Sequence, residues 1–206
     1  MTHLFWLALI KGYTTTASLI IAMGTQNAFI LRQGLLKSHV LIVAILASII
    51  DILLIILGVS GVGFIITSHH YLMLVAKYGS VVFLFLYGCK CFYSVFFKTT
   101  SIEDENVTGK RSIKSTIITL LAITFLNPHT YVDTMLLIGS IGAGLAEEQK
   151  IYYIIGAGAA STSWFFCLSY GSRLLIPFFK KPISWKILNI FIGIIMWCIA
   201  YSIYYK

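Results

Sequence analysis

The sequence predicts an all-α integral membrane protein whose six transmembrane helices form two inverted three-helix repeats. Three observations carry that prediction. The 206 residues are 59% hydrophobic and 11% charged, with a mean hydropathy of +0.92, whereas a soluble chain carries about 25% charged residues. Six stretches (4–31, 40–66, 72–97, 115–139, 151–175 and 187–204) reach the roughly 20 apolar residues that a span requires. One extended polar loop, 98–114, divides them three and three, so a single domain, 1–206, splits into repeats 1–97 and 115–206. Three spans per half make the halves run in opposite directions, as in inverted-repeat transporters.

Span one carries Gly24-Thr25-Gln26-Asn27-Ala28-Phe29, with two adjacent carboxamides in an apolar segment. Lipid offers such groups no hydrogen bond, so they need protein or water beside them. Gly24 permits close approach of another backbone, and the Thr25 hydroxyl can return to a carbonyl of its own helix and bend it. Span two carries Asp51 about 12 residues, or roughly 18 Å, from its cytoplasmic start, close to the bilayer midplane. An ionised carboxylate there costs about 2.5–3.5 kcal/mol on insertion scales, which marks it as functional unless it is protonated or paired with Lys11 or Lys90. In span three, Lys77 and Lys90 can snorkel to an interface, as can Lys11 in span one.

Span four holds the second interruption, Leu126-Asn127-Pro128-His129-Thr130-Tyr131-Val132-Asp133-Thr134. Pro128 has no N–H for the carbonyl of Thr124, so the helix breaks in mid-membrane. Helical spacing pairs Asn127 with Tyr131 and His129 with Asp133, four residues apart. Matching interruptions in the two halves point to a transporter binding site. The helix-breaking residues are then Gly24, Thr25 and Pro128, and the candidate substrate ligands are Gln26, Asn27, Asp51, Asn127, Pro128 (through its freed backbone), Tyr131 and Asp133. Asp51, His129 and Asp133 are the candidate proton carriers. The blander alternatives are amides that join helices and a structural histidine.

The small-residue strings Gly58–Gly63, 139–144 and 156–161 suit close helix contacts, either within the monomer or in a homodimer. Trp6, Trp164, Trp185, Trp197 and Tyr201, Tyr204 and Tyr205 suit interfacial belts. The net charge of +8 gathers in the odd-numbered loops (Arg32 and Lys37; Lys98, Lys110, Arg111 and Lys114; Arg173, Lys180, Lys181 and Lys186). Only Lys150 and Lys206 lie in the opposite set, so the odd loops are expected to be cytoplasmic and both termini outside. Basic loops beside anionic lipid account for the charge, and no basic stripe with interleaved aromatics suggests nucleic acid. Cys89, Cys91, Cys167 and Cys198 all lie in apolar segments without zinc or C-x-x-C spacing. They read as buried free thiols. No metal site, cofactor or catalytic residue is expected, and residues 1–10 lack the basic start of a cleavable signal.

The paired interruptions and Asp51 resemble the LysE family of basic amino-acid exporters, and the histidine after the proline is most similar to its arginine-exporter branch. The likeness covers essentially the whole chain. It implies efflux of L-arginine, and of L-lysine, across a bacterial inner membrane, with the lipid bilayer and a basic amino acid as partners. The family has proline where this chain has Thr25. Three rival functions stand beside this one: export of neutral amino acids or another small cation, thiol–disulfide electron transfer, and a non-transporting helical scaffold. The second needs cysteines that meet across the halves, and the interrupted spans one and four have none.

Overall fold

The computed structural model describes residues 2–21, 24–61, 70–97, 112–127, 130–180 and 182–205, and among these only helices and turns occur. In chain order they are α1 (Thr2–Ile20), α2 (Thr25–Leu35), α3 (Val40–Val59), α4 (His70–Phe97) and α5 (Ile113–Phe125). A π-helical segment (Tyr131–Ile138) leads into α6 (Gly139–Ala143), followed by α7 (Glu147–Gly171), a 3-10 segment (Ser172–Lys180) and α8 (Pro182–Tyr205).

Among the described residues, four stretches are long and apolar enough to cross a membrane: Val40–Val59, Lys77–Phe96, Glu147–Phe179 and Ile183–Tyr205. α1 and α2 reach that length and apolarity only as a pair, bent by 82° at the break between them. The stretch expected as span four consists of two shorter apolar helices, Ile113–Phe125 and Asp133–Ala143. Both segments with an expected interruption are therefore broken in the fold. Pro128 and His129 themselves lie outside the described residues.

α3 shows how the sequence sorts the faces of a span. Ile45, Ile49 and Leu53 are exposed, one turn apart. Val43, Ala47, Ile50, Asp51, Leu54 and Ile55 form the opposite, buried stripe. A carboxylate on that stripe faces protein and not lipid. The helix ends at Val59, short of residue 66, and Gly61 turns the chain with φ +80, a conformation that glycine takes without strain.

α1 lies along α7 and α3 also packs on α7, while α4 pairs with α8. All three small-residue strings make close contacts inside the molecule. A Cβ on Gly156 would sit 2.0 Å from the carbonyl oxygen of Leu9, and one on Gly12 would sit 2.1 Å from that of Tyr153, so α1 and α7 touch backbone to backbone. Gly58 and Gly139 meet in the same way, each placing a virtual Cβ within 3.0 Å of the other's backbone. Trp185 departs from the expected belt. It is fully buried, with its indole N–H donated to the carbonyl of Phe179 (2.9 Å), among Leu35, Leu84, Leu188 and Ile192.

Gly156→Val is expected to force α1 from α7 at a cost of about 1–3 kcal/mol or more. Melting of the purified protein should fall by several degrees, whereas Gly171→Ala, where an added Cβ meets nothing within 4 Å, should leave it unchanged.

Candidate functional site: a cavity between two broken helices

Each break is closed by a side chain from the piece that follows it. The last carbonyls of a helix have no N–H donor within it, and in a membrane they need one. The Asn27 amide, from the first turn of α2, donates to the carbonyl of Ile20 at the end of α1 (2.7 Å). The Tyr131 hydroxyl donates to the carbonyl of Phe125 at the end of α5 (2.6 Å). The two breaks also touch each other: the Asn127 amide donates to the Thr25 hydroxyl (3.4 Å) across 102 positions of sequence. Trp164 of α7 braces the assembly by donating its indole N–H to the Asn27 side-chain oxygen (3.3 Å). It is a partly buried strut, not an interfacial anchor.

A cavity of about 250 Å³ lies where these pieces meet. Its walls come from Thr16 and Ile20 of α1, Gly24 to Asn27, Asp51 of α3, Asn127, Thr130, Asp133 and Thr134, with Phe165 of α7 closing one side. Small-molecule pockets commonly run from about 300 to 1,000 Å³, so this one suits a small solute. Phe165 belongs as well to a dry cluster with Phe29, Ile30, Val43, Leu120 and Ile123, which seals the cavity on that side. Among the described residues, no lysine, arginine or cysteine lines it.

Asp51 is almost fully buried, and its partners are hydroxyls: Ser161 of α7 and Thr134 of the π-helical segment both donate to its carboxylate. Neither Lys11 nor Lys90 is among them. Asp133 is partly exposed and lines the same cavity, one residue before Thr134. The wide π-helical turn that carries both is a feature often found at functional sites. The cavity thus presents two carboxylates, with no lysine or arginine among its described lining residues. Gln26 adds a side-chain nitrogen that is buried with no hydrogen-bond partner. No cluster of three His, Cys, Asp or Glu suited to a metal occurs among the described residues.

Of the residues singled out in the sequence, Gly24, Thr25, Gln26, Asn27, Asp51, Asn127 and Asp133 come together on this cavity. Tyr131 does not line it, because its hydroxyl is occupied by the Phe125 carbonyl. Thr134 lies in the interruption that the sequence marks, whereas Thr16 and Ser161 do not stand out in it. Ser161 sits in a small-residue string that reads as packing, and Thr16 carries no local signal apart from its polarity.

A family model described as "LysE type translocator" matches residues 17–206. The chain belongs to the LysE family. It is a multi-pass membrane translocator and not an enzyme. Among similar proteins of this LysE family, "Arginine exporter protein ArgO" of Photorhabdus laumondii is 37% identical over 194 residues, covering 94% of this chain and 93% of its own. Proteins of the same name from Yersinia enterocolitica (33%, 94% of both chains) and Klebsiella pneumoniae (34%, 94% and 91%) are similar over the same extent. No solved structure matches significantly.

The fold can accommodate at position 25 the proline that the resemblance to the LysE family implies there. Thr25 is the first residue of α2, where the N–H has no acceptor within the helix and a fixed φ suits helix entry. Thr25→Pro should therefore remain folded, with melting within a few degrees of the parent protein. Ala28→Pro, which removes the bond from Ala28 N–H to the Gly24 carbonyl, should cost about 3 kcal/mol and collapse the melting transition.

Proposed function

We propose that this protein is a secondary-active exporter of basic amino acids, L-arginine and secondarily L-lysine, working by alternating access in a bacterial inner membrane. The observation that carries this reading is the placement of Asp51 and Asp133 on one small cavity, where the two broken helices meet. Two carboxylates attract a guanidinium or ammonium more strongly in a low-dielectric pocket than they would in open water. The names and full-length coverage of the relatives support arginine as the first substrate.

Alternating access requires two halves that can rock about the site. Packing of α3 on α7 and of α4 on α8 pairs the second and third helices of residues 1–97 with those of 115–206, which supports two repeats related by inversion. The bond between Thr25 and Asn127 crosses that same boundary. In this scheme α1 with α2, and α5 with the π-helical segment and α6, serve as one interrupted span each.

Exporting a cation against an inside-negative potential costs about 2.3 kcal/mol per charge per 100 mV. Exchange for an entering proton cancels that charge. Asp51 and Asp133 are the carboxylates that would carry it: a proton arriving on either weakens its hold on the substrate cation, and loss of the proton restores it. The hydroxyls of Ser161 and Thr134 keep Asp51 oriented through the exchange.

The test uses cells that lack their own exporters and are fed an arginine dipeptide or challenged with canavanine. Asp51→Asn and Asp133→Asn should each lower arginine efflux by about tenfold or more and abolish canavanine resistance, with the protein still present in the membrane. Resistance and efflux equal to those of the parent protein would contradict the proposal. Ser161→Ala, which leaves the acid but removes its donor, should give an intermediate loss.

A further inference from the structure

We propose that the N-terminal end of α2, together with the hydroxyl of Thr16 and the side-chain amide of Gln26, forms a carboxylate subsite that makes the protein require an intact α-carboxylate on its substrate. This rests on the exporter reading above and extends it to the other end of the substrate molecule.

Thr16 is the key observation. Most hydroxyls in these helices satisfy themselves on a carbonyl of their own helix: Thr14 on Ile10, Ser48 on Ala44, Thr119 on Ser115 and Thr124 on Leu120. That bond is always available one turn back, and it is the ordinary resting place for a membrane-helix hydroxyl. Thr16 is fully buried, lines the cavity and makes no such bond or any other. A buried hydroxyl without a partner costs about as much as a lost hydrogen bond, so a group that stays so is expected to meet its partner in another state of the protein.

Gln26 repeats the pattern from the next element. Its side-chain nitrogen is buried without a partner, and the residue lines the same cavity. It stands in the first turn of the 11-residue α2, whose N-cap, Gly24, offers no side-chain cap. The first-turn amides of a helix point outward and carry partial positive charge, which favours an anion. Hydroxyl, amide and helix end are all donors. Asp51 and Asp133, both acceptors when ionised, line the same cavity from other elements, α3 and the π-helical segment. The pocket is therefore polarised, with donors for a carboxylate on α1 and α2 and acids for the cationic groups on those other elements. Asn27 and Asn127, equally polar, are engaged with the Ile20 carbonyl and the Thr25 hydroxyl, and they hold this frame in place.

The experiment measures binding of labelled L-arginine to the purified full chain in detergent, displaced by unlabelled arginine, by argininamide (the carboxylate replaced by an uncharged amide) and by agmatine (the carboxylate removed). The parent protein should prefer arginine to either analogue by about tenfold or more, the worth of hydrogen bonds to a charged group. Thr16→Val and Gln26→Leu should weaken arginine by about that factor while changing agmatine by less than about threefold. Thr16→Ser, which keeps the hydroxyl, should retain most of the preference. Agmatine affinity close to that of the parent reports that each variant is folded around an intact acidic side. If argininamide and agmatine compete as well as arginine does, or if the variants weaken all three compounds alike or none, the subsite is wrong and the exporter reading stands. If the parent protein binds none of the three, the exporter reading itself falls and takes this subsite with it.

Discussion

A helix that stops inside a bilayer must find partners for the backbone groups it exposes, and this protein meets that requirement twice at one place. The ends of α1 and α5 leave carbonyls without intrahelical donors, and lipid supplies none. Asn27 and Tyr131 answer from the far side of each break. Because each capping residue belongs to the chain beyond the gap, the cap also fixes the direction in which that chain leaves. The bond from Asn127 to Thr25 then holds the two breaks together.

The rest of the site follows from that arrangement. Bringing two breaks together opens space that continuous helices would fill with side chains, and the space is lined by the polar residues that caused the breaks. Close backbone contacts at Gly12 with Tyr153, Leu9 with Gly156, and Gly58 with Gly139 keep α1, α3, α6 and α7 tight around it. Asp51 reaches the cavity from the inner stripe of α3, where Ser161 and Thr134 replace the water that an isolated carboxylate would need. The hydrophobic seal through Phe29, Ile30 and Phe165 closes the other side.

Much of this was legible in the sequence, because intramembrane polar residues are rare and each requires an explanation. Gly24 to Asn27, Asp51, Asn127 and Asp133 stand out against apolar surroundings, and the fold gathers them on one cavity. What stayed hidden depends on rotation and depth, which a lone chain does not display. Trp185 reads as an interfacial anchor by composition, yet its helix turns it inward onto the Phe179 carbonyl. Tyr131 reads as a substrate ligand, but the nearest unsatisfied carbonyl takes its hydroxyl. Ser161 looks like one more small packing residue until α7 is laid against α3. The break in 115–139, by contrast, was legible at Pro128, and the stretch is two short helices in the fold.

The central claim is that the two breaks enclose a water-accessible cavity in mid-membrane that a basic amino acid occupies. Its most direct test is the reactivity of a single cysteine on the cavity wall, in a chain whose Cys89, Cys91, Cys167 and Cys198 have been replaced. Thr130→Cys should react with a small charged methanethiosulfonate, and millimolar arginine should slow that reaction, whereas Ile155→Cys on the exposed apolar face of α7 should stay unreactive. A Thr130→Cys protein that resists the charged reagent, or one whose labelling arginine leaves unchanged, would contradict the account.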